Sequence, residues 1–199
     1  MPFIDSIEVL LLGYFLGSFP SGLVFSKISG GNDIRKTGSG NIGATNVLRT
    51  GSKLLALLTL ISDLGKGFLT IKIANPINPE IDIASIAALG CIMGHIFPIW
   101  TKFKGGKGVA TAIGVLLALA WKVAIAIIII WFFVAIITKY SSLAALITFT
   151  TLPFLAAALE TEFQPLALCI MVIIWITHKK NIQRLLKKEE TKINLRKNK

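Results

Sequence analysis

Apolar runs recur along almost the whole of this chain, and only short polar segments separate them. Crossing a bilayer core takes about 20 predominantly apolar residues. Runs at 4–25, 54–74, 83–100, 109–138 and 143–159 approach or exceed that length, and a shorter apolar run covers 166–177. Backbone N–H and C=O groups cannot stay unpaired in hydrocarbon, so these runs read as transmembrane helices. Composition agrees, since 16% of the residues are charged, against about 25% in an ordinary soluble domain. The expectation is one all-α integral membrane domain over 1–181 and a basic tail over 182–199, with no room for a second folded domain.

The number of crossings follows from charge. Lys27, Arg35, Lys36, Arg49 and Lys53 stand against Asp33 in the first loop, and 101–108 adds Lys102, Lys104 and Lys107. Lys139 is a third basic point, and only Glu189 and Glu190 oppose the basic residues of the tail. The segments 75–82 and 160–165 are acidic and carry no basic residue. Basic loops stay cytoplasmic. Seven spans with the N-terminus outside put all the basic segments inside, whereas six would translocate the tail. The seven-span reading divides 109–138 near Trp121-Lys122 into two short spans of roughly 15–18 residues, at the lower limit of the usual range.

This distribution also explains the net charge of +11 without nucleic acid, because no soluble basic domain exists to hold a duplex. Cys91 and Cys169 both lie in apolar runs, which is neither a disulfide framework nor a metal site. The first residues lack the basic region of a cleavable signal peptide. No cofactor is expected, and the sequence leaves the oligomeric state open.

Polar residues inside the runs are the next clue. Gly17-Ser-Phe-Pro-Ser-Gly22 interrupts the first run and suggests close helix packing or a bent helix. Asp63 and Lys66 lie three apart in the second, on one helical face. Ionisable groups at such depth face the protein interior, and the pair reads as an internal structural one. His95, before a proline in an apolar stretch, reads as structural too.

The loop Gly38-Ser-Gly-Asn-Ile-Gly-Ala-Thr-Asn46, with Arg49 just beyond, carries the strongest chemical signal. Glycines permit positive φ and close approach to backbone N–H groups. Successive N–H groups in such turns make an anion-binding concavity. Gly38, Gly40, Asn41, Gly43, Thr45 and Asn46 are therefore candidate phosphate-binding residues, Ser39 adds a hydroxyl, and Arg49 a cationic fork. No Gly-Lys-Ser/Thr follows, so it is not a Walker loop. The run before it is a membrane span rather than a strand, so it is not a dinucleotide fingerprint. A second glycine loop, Gly105-Gly106-Lys107-Gly108, presents Lys107, and Gly105, Gly106 and Gly108 are further candidate residues for binding the phosphate of a substrate. Ser142 and the pair His178 and Asn181 fall on the same predicted cytoplasmic face. His178 and Asn181 share a helical face if the helix continues past Thr177.

These motifs together resemble the PlsY family of bacterial acyl-phosphate:glycerol-3-phosphate acyltransferases. The resemblance rests on Gly38–Asn46 with Arg49, on Asp63-Leu-Gly-Lys-Gly67, and on Gly94-His…Pro98…Phe103-Lys-Gly-Gly-Lys-Gly-Val-Ala-Thr111, and covers about Gly17 to Asn181. It implies seven helices in the bacterial inner membrane and a cytoplasmic active site. It implies transfer of a fatty acyl group from acyl phosphate to the 1-hydroxyl of sn-glycerol 3-phosphate. The products would be 1-acyl-glycerol 3-phosphate (lysophosphatidic acid) and phosphate, the first step of phospholipid synthesis. Asn41, Gly43 and Thr45 match the acyl-phosphate site. Ser39, Arg49, Lys107, His178 and Asn181 match positions around glycerol 3-phosphate. Ser142 falls near the latter, with Ser141 its neighbour.

The chemistry fits the residues. Acyl phosphate already has a good leaving group, so the protein needs to orient a hydroxyl and stabilise developing negative charge. Lys107 and Arg49 supply cations, and His178 is a candidate base because a near-neutral pKa suits proton removal. A phosphate oxygen of the substrate is the alternative base. The His-x4-acidic signature of another acyltransferase class is absent, since Trp100 follows His95 and Gln183 follows His178 at that spacing. A transporter of a small organic phosphate is the competing reading. It is disfavoured by polar motifs gathered on one face and by the lack of an internal repeat. A non-catalytic scaffold gives no reason for two cationic glycine loops.

Overall fold

The computed structural model describes residues 2–193, apart from Asn32, Pro76, Asn78, Pro79 and Glu160. Residues 194–199 of the predicted tail, and parts of the acidic segments 75–82 and 160–165, thus lie outside the described residues. Ten α-helices and no strand are found among those described. They are α1 (Pro2–Gly17), α2 (Ser21–Ile28), α3 (Ala44–Arg49), α4 (Lys53–Ala74), α5 (Ile81–Ile96), α6 (Val109–Leu119), α7 (Trp121–Thr138), α8 (Ser141–Leu159), α9 (Gln164–Thr177) and α10 (Lys179–Leu186).

Five stretches are long and apolar enough to cross a membrane: 6–28 (α1 with α2), α4, 82–101 (α5 and the turn after it), α7 and α8. The pair α9 and α10 is bent by 59° and would make a sixth only if taken as one broken span; His178 lies at the bend, past the end of the apolar helix α9. The remaining apolar helix, α6, has 11 residues, or roughly 16 Å at 1.5 Å per residue, about half the hydrocarbon thickness. The 109–138 run does divide in two, but unequally. Ala120, at φ −142° and ψ 68°, breaks the chain, and α6 falls short of the predicted 15–18 residues.

Local chemistry sets the other boundaries. Ser52 caps α4 by accepting from the Leu55 N–H at 3.2 Å. Phe97 precedes Pro98 and is driven out of helical geometry, which ends α5. The interruption predicted at 17–22 is a full break between α1 and α2, with Pro20 at the cap of the second helix.

Lipid tails are as apolar as leucine, so membrane helices associate through close packing of small residues. Helices α1 and α5 interlock in this way. A Cβ added at Gly13 or Gly17 would meet the Ala87 or Cys91 carbonyl oxygen, and one at Gly90 or Gly94 the Leu10 or Tyr14 carbonyl oxygen. Between α4 and α6, Gly67 faces the Thr111 carbonyl and Gly114 that of Leu64. The apolar core then runs between α5, α6, α7, α8 and α9 through Ile92, Val115, Ile127, Phe149, Leu152, Ile170 and Ile174.

The buried Asp63 and Lys66 pair at 2.9 Å. Ser21 Oγ donates to Asp63 at 2.7 Å, and Lys66 Nζ donates to the Phe19 carbonyl at 3.1 Å, one of the acceptors freed where α1 breaks. His95 Nδ1 lies 2.7 Å from Lys66 Nζ. The cluster therefore pins α2, α4 and α5 together.

Replacing Gly94 by alanine is expected to lower stability by about 1–3 kcal/mol, as for overpacking. Gly65→Ala, where nothing lies within 4 Å of the new Cβ, should be neutral or stabilising by up to ~1 kcal/mol through helix propensity. Melting temperatures in detergent compare the two.

Candidate active site

Four polar segments converge at one end of the bundle. Thr45 Oγ1 lies 3.2 Å from Ser141 Oγ, joining the first glycine loop to the start of α8. Thr177 Oγ1 donates to the Lys107 carbonyl at 3.1 Å, joining the second loop to the end of α9. The chain then bends at His178 into α10. The break falls at His178, which caps α10 and whose carbonyl accepts from the Ile182 N–H at 2.9 Å, so His178 and Asn181 lie in one turn of α10 and both are buried. The helix does not run unbroken past Thr177, yet both side chains reach the same cavity.

The cavity holds about 550 Å³. Ser39, Asn41, Gly43, Thr45, Asn46, Arg49, Lys107, Gly108, Ser142, His178 and Asn181 all line it. Four other glycines proposed for phosphate do not. Gly38 and Gly40 serve the loop's turns at φ +57° and +71°. Gly105 and Gly106 have their N–H groups bonded to the Ile96 and His95 carbonyls at 3.0 Å. A Cβ on Gly106 would fall on the His95 ring, so this glycine permits packing rather than ligand approach.

Asn46 is the centre of the first loop. Its Nδ2 is shared among the carbonyls of Ile34, Thr37 and Asn41 at 2.7–3.0 Å, and its Oδ1 accepts from the Ser39 N–H at 2.9 Å and the Ser39 hydroxyl at 3.2 Å. With both ends of its amide committed, it shapes the loop. Asn41 Oδ1 similarly accepts the Gly43 N–H at 2.8 Å.

The cations are the active part of the electrostatics. Arg49 lies half-buried, and its Nε–H is buried without a partner. Such an orphan donor is costly and marks a place for an anion. Burial, together with the charges of Arg184 and Arg49, pushes Lys107 down to about 8, against the opposing influence of Glu190. His178, just past the end of α9, is pushed down to about 4 by burial and then by the Lys107 charge, against its bond to the Ile174 carbonyl and the charge of Glu190. Its Nδ1 is 2.8 Å from that carbonyl, which requires Nδ1–H and leaves Nε2 as an acceptor. His178 is thus neutral and weakly basic at pH 7, in contrast to the near-neutral value expected.

One side of the cavity is apolar. Leu57, Leu60, Leu64, Ile113, Ile128, Trp131 and Phe132 extend it between α4, α6 and α7, and Leu57, Leu60, Ile128 and Phe132 are exposed on the surface that faces lipid. A separate groove of about 610 Å³ between α8, α9 and α10 is lined by Leu143, Leu146, Ile147, Trp175 and Leu185. It is larger, but it gathers neither glycine loop nor the paired cations. Ser141 lines the cavity beside Ser142, as do Trp131 and Glu190, which belong to no motif in the sequence, and Asp63 and His95, which reach it from the structural cluster. Glu190 left one trace, as an acid in a basic segment. Among the described residues, no group of three or more His, Cys, Asp or Glu is placed to hold a metal ion.

Fold and site together define a helical membrane protein whose cavity joins two cations on glycine loops to an apolar wall along the side of the bundle. The family model described as glycerol-3-phosphate acyltransferase matches residues 7–188, and the chain belongs to that family. It is 48% identical over 191 residues to the glycerol-3-phosphate acyltransferase of Brucella anthropi, covering 94% of this chain and 92% of that one. The Sinorhizobium fredii protein of the same name is 50% identical over 187 residues, covering 92% and 90%. A crystal structure of PlsY, an integral membrane glycerol 3-phosphate acyltransferase in its glycerol 3-phosphate form, superposes with a TM-score of 0.89 at 33% identity, over 95% of this chain and 96% of that one. Its lysophosphatidic acid form gives 0.86, also at 33% identity, over 94% of each.

Because Lys107 titrates near 8, its charge is present below that pH and lost above it. Binding of inorganic phosphate or glycerol 3-phosphate is expected to weaken as pH rises through about 8 to 9, the bound anion itself holding the proton slightly longer. Calorimetric titration from pH 6.5 to 9.5 measures this. Lys107→Gln should bind weakly throughout and lose that step.

Proposed function

We propose that this acyltransferase moves a fatty acyl group from acyl phosphate to the 1-hydroxyl of sn-glycerol 3-phosphate, at the cytoplasmic face of a bacterial inner membrane. The single observation that carries the reading is the cavity itself. It has two glycine loops and two desolvated cations, Arg49 and Lys107, at one end, and an apolar side open toward lipid. Acyl phosphate needs both halves. Its phosphate suits the loop of Asn41, Gly43 and Thr45, and its chain suits the wall between α4, α6 and α7.

The reaction then requires little covalent help. The acceptor oxygen attacks the carbonyl carbon, the bond from carbonyl carbon to phosphate oxygen breaks, and the acyl group passes to glycerol 3-phosphate as phosphate leaves. Arg49 and Lys107 hold the acceptor phosphate and offset charge as it develops. The proton goes to a phosphate oxygen in preference to His178. A phosphate monoester has a second pKa of about 6, whereas His178 lies near 4, and the stronger base near neutral pH is the better acceptor. His178 Nε2 is left to accept a hydrogen bond that orients a hydroxyl. Ser39, Asn181 and Ser142 lie on the acceptor side, and Gly108 lets the backbone turn into α6 beside Lys107.

This orientation goes with seven passes, the N-terminus outside and α6 the short one, bridged by local thinning of the bilayer; the loop charges support it. The four polar segments that meet in the cavity are the ends that this count brings to the basic, inner side. Single cysteines at positions 139 and 162 test it. Labelling in intact cells should occur at 162 and not at 139; the reverse would exclude the seven-pass arrangement.

The purified enzyme offered acyl phosphate, acyl-CoA and acyl carrier protein side by side should use acyl phosphate, and equal turnover with acyl-CoA would refute the donor. In the same assay Arg49→Ala should lose roughly 10- to 100-fold in kcat/KM for glycerol 3-phosphate, the equivalent of one charge-assisted hydrogen bond.

A further inference from the structure

The tail carries an acidic group that the proposed reaction leaves unused. After α10 the chain reverses at Lys188, φ +60°, with the Glu189 N–H on the Arg184 carbonyl at 2.8 Å. Glu190 then turns into the cavity and is buried. Its Oε1 accepts from the Ser142 hydroxyl at 2.9 Å and from Asn181 Nδ2 at 2.8 Å; its Oε2 accepts from Arg184 Nε at 2.6 Å. Further contacts fix the tail independently of this carboxylate. Arg49 Nη2 donates to the Thr191 carbonyl at 3.2 Å, the Ile193 N–H donates to the Lys139 carbonyl at 2.7 Å, and Lys192 Nζ lies 5.6 Å from the centre of the Tyr140 ring.

We propose that Glu190 is a positioning residue that makes the Ser142–Asn181 corner of the cavity a receptor for the hydroxyl end of the acceptor, leaving the acceptor phosphate to Arg49 and Lys107. The inference rests on the acceptor assigned above. Its core is proton counting. A serine hydroxyl has one proton, and Ser142 gives it to a carboxylate that has none to return. Toward a ligand Ser142 then offers lone pairs alone. It can accept from a sugar-alcohol hydroxyl, but against a phosphate dianion it would set lone pair against lone pair. The same carboxylate fixes which end of the Asn181 amide is nitrogen. Hydrogen bonds from Arg184, Asn181 and Ser142 outweigh the effect of burial and hold Glu190 below the ordinary carboxylate range, so it remains an acceptor through the working pH range.

The alternative is that Glu190 mimics the substrate phosphate as a plug that must leave. Its partners argue against this, being Ser142, Asn181 and Arg184 rather than the two cations of the phosphate site. The other tail contacts also hold the segment docked.

The test is two-substrate kinetics on wild type, Glu190→Gln and Ser142→Ala, with inorganic phosphate as a competitor against glycerol 3-phosphate. Wild type must first form product from glycerol 3-phosphate; no product refutes the acceptor reading rather than this inference. Glu190→Gln is expected to raise the KM for glycerol 3-phosphate about tenfold while the Ki of inorganic phosphate stays the same or falls, since a negative charge beside Arg49 and Lys107 is lost, and the KM of acyl phosphate stays within twofold. Ser142→Ala should show the same split, and it decides the matter if Glu190→Gln does not accumulate in the membrane. The double variant should be no worse than the poorer single one, because both act through one hydrogen bond. A lower KM in Glu190→Gln identifies a plug and overturns the proposal. Parallel weakening of phosphate and glycerol 3-phosphate identifies a merely structural contact and overturns it as well, as does an unchanged KM.

Discussion

Two cations must be kept side by side in a half-dry cavity before any anion arrives. Arg49 and Lys107 both lose hydration at the end of the bundle, and like charges in a medium of reduced dielectric repel strongly. Chain topology answers this by placing them on different loops, each tethered elsewhere. The Arg49 loop is tied through Asn46 and, by Thr45, to α8; the Lys107 loop is tied to α5 and, by Thr177, to α9. Repulsion is then carried by backbone that cannot move apart without breaking several hydrogen bonds. Glu190 opposes this repulsion, its charge acting on both cations, and the Nε–H of Arg49 is buried without a partner.

The membrane sets the second condition. Helices in lipid gain nothing from hiding leucine, so α1 and α5 approach backbone to backbone over glycines. The polar cost of the break between α1 and α2 is met by Lys66 and Asp63 inside the bundle. His95 belongs to that cluster and also lines the cavity floor. Gly105 and Gly106 close over it, so the loop that presents Lys107 is seated on the structural cluster. Stability and site are joined at this point. An alanine at Gly106 would touch no substrate, yet it would displace Lys107 by pushing the loop off the His95 ring.

What the sequence made legible follows from the range of each physical signal. Apolar length is a local signal, so five long apolar helices and the breaks at 17–22 and near 121 could be read directly, as could the internal pairing of Asp63 with Lys66. The two glycine loops were visible as motifs. The separate tasks of their glycines were not, since a glycine needed for a turn at Gly40 or for packing at Gly106 looks the same in one dimension as one that lines the cavity at Gly43. His178 was read with an ordinary imidazole in mind; its low basicity comes from burial and from Lys107, which is 71 residues away (178 − 107) and adjacent only once α9 is folded. Glu190 was hidden for the same reason, its role being set by Ser142, 48 residues earlier.

The lateral opening bears on how the proposed reaction avoids wasting its donor. Acyl phosphate reacts with water by the same attack that the acceptor makes, so a site that bound the donor in open solution would also expose it to hydrolysis. In the proposed reaction the apolar wall between α4, α6 and α7 would take the chain and the polar loops the phosphate. The carbonyl, at the junction of chain and phosphate, would then lie where the two walls meet. Water there would be excluded by the donor's own chain on one side and by the acceptor on the other. The acceptor then competes through position rather than nucleophilicity, and orientation of this kind contributes several kcal/mol, about 7–11 in well-aligned intramolecular cases. A neutral His178 suits that arrangement. A strong base in the cavity would activate stray water as readily as the acceptor hydroxyl, whereas a proton passed to a substrate phosphate moves only when the substrates are in place.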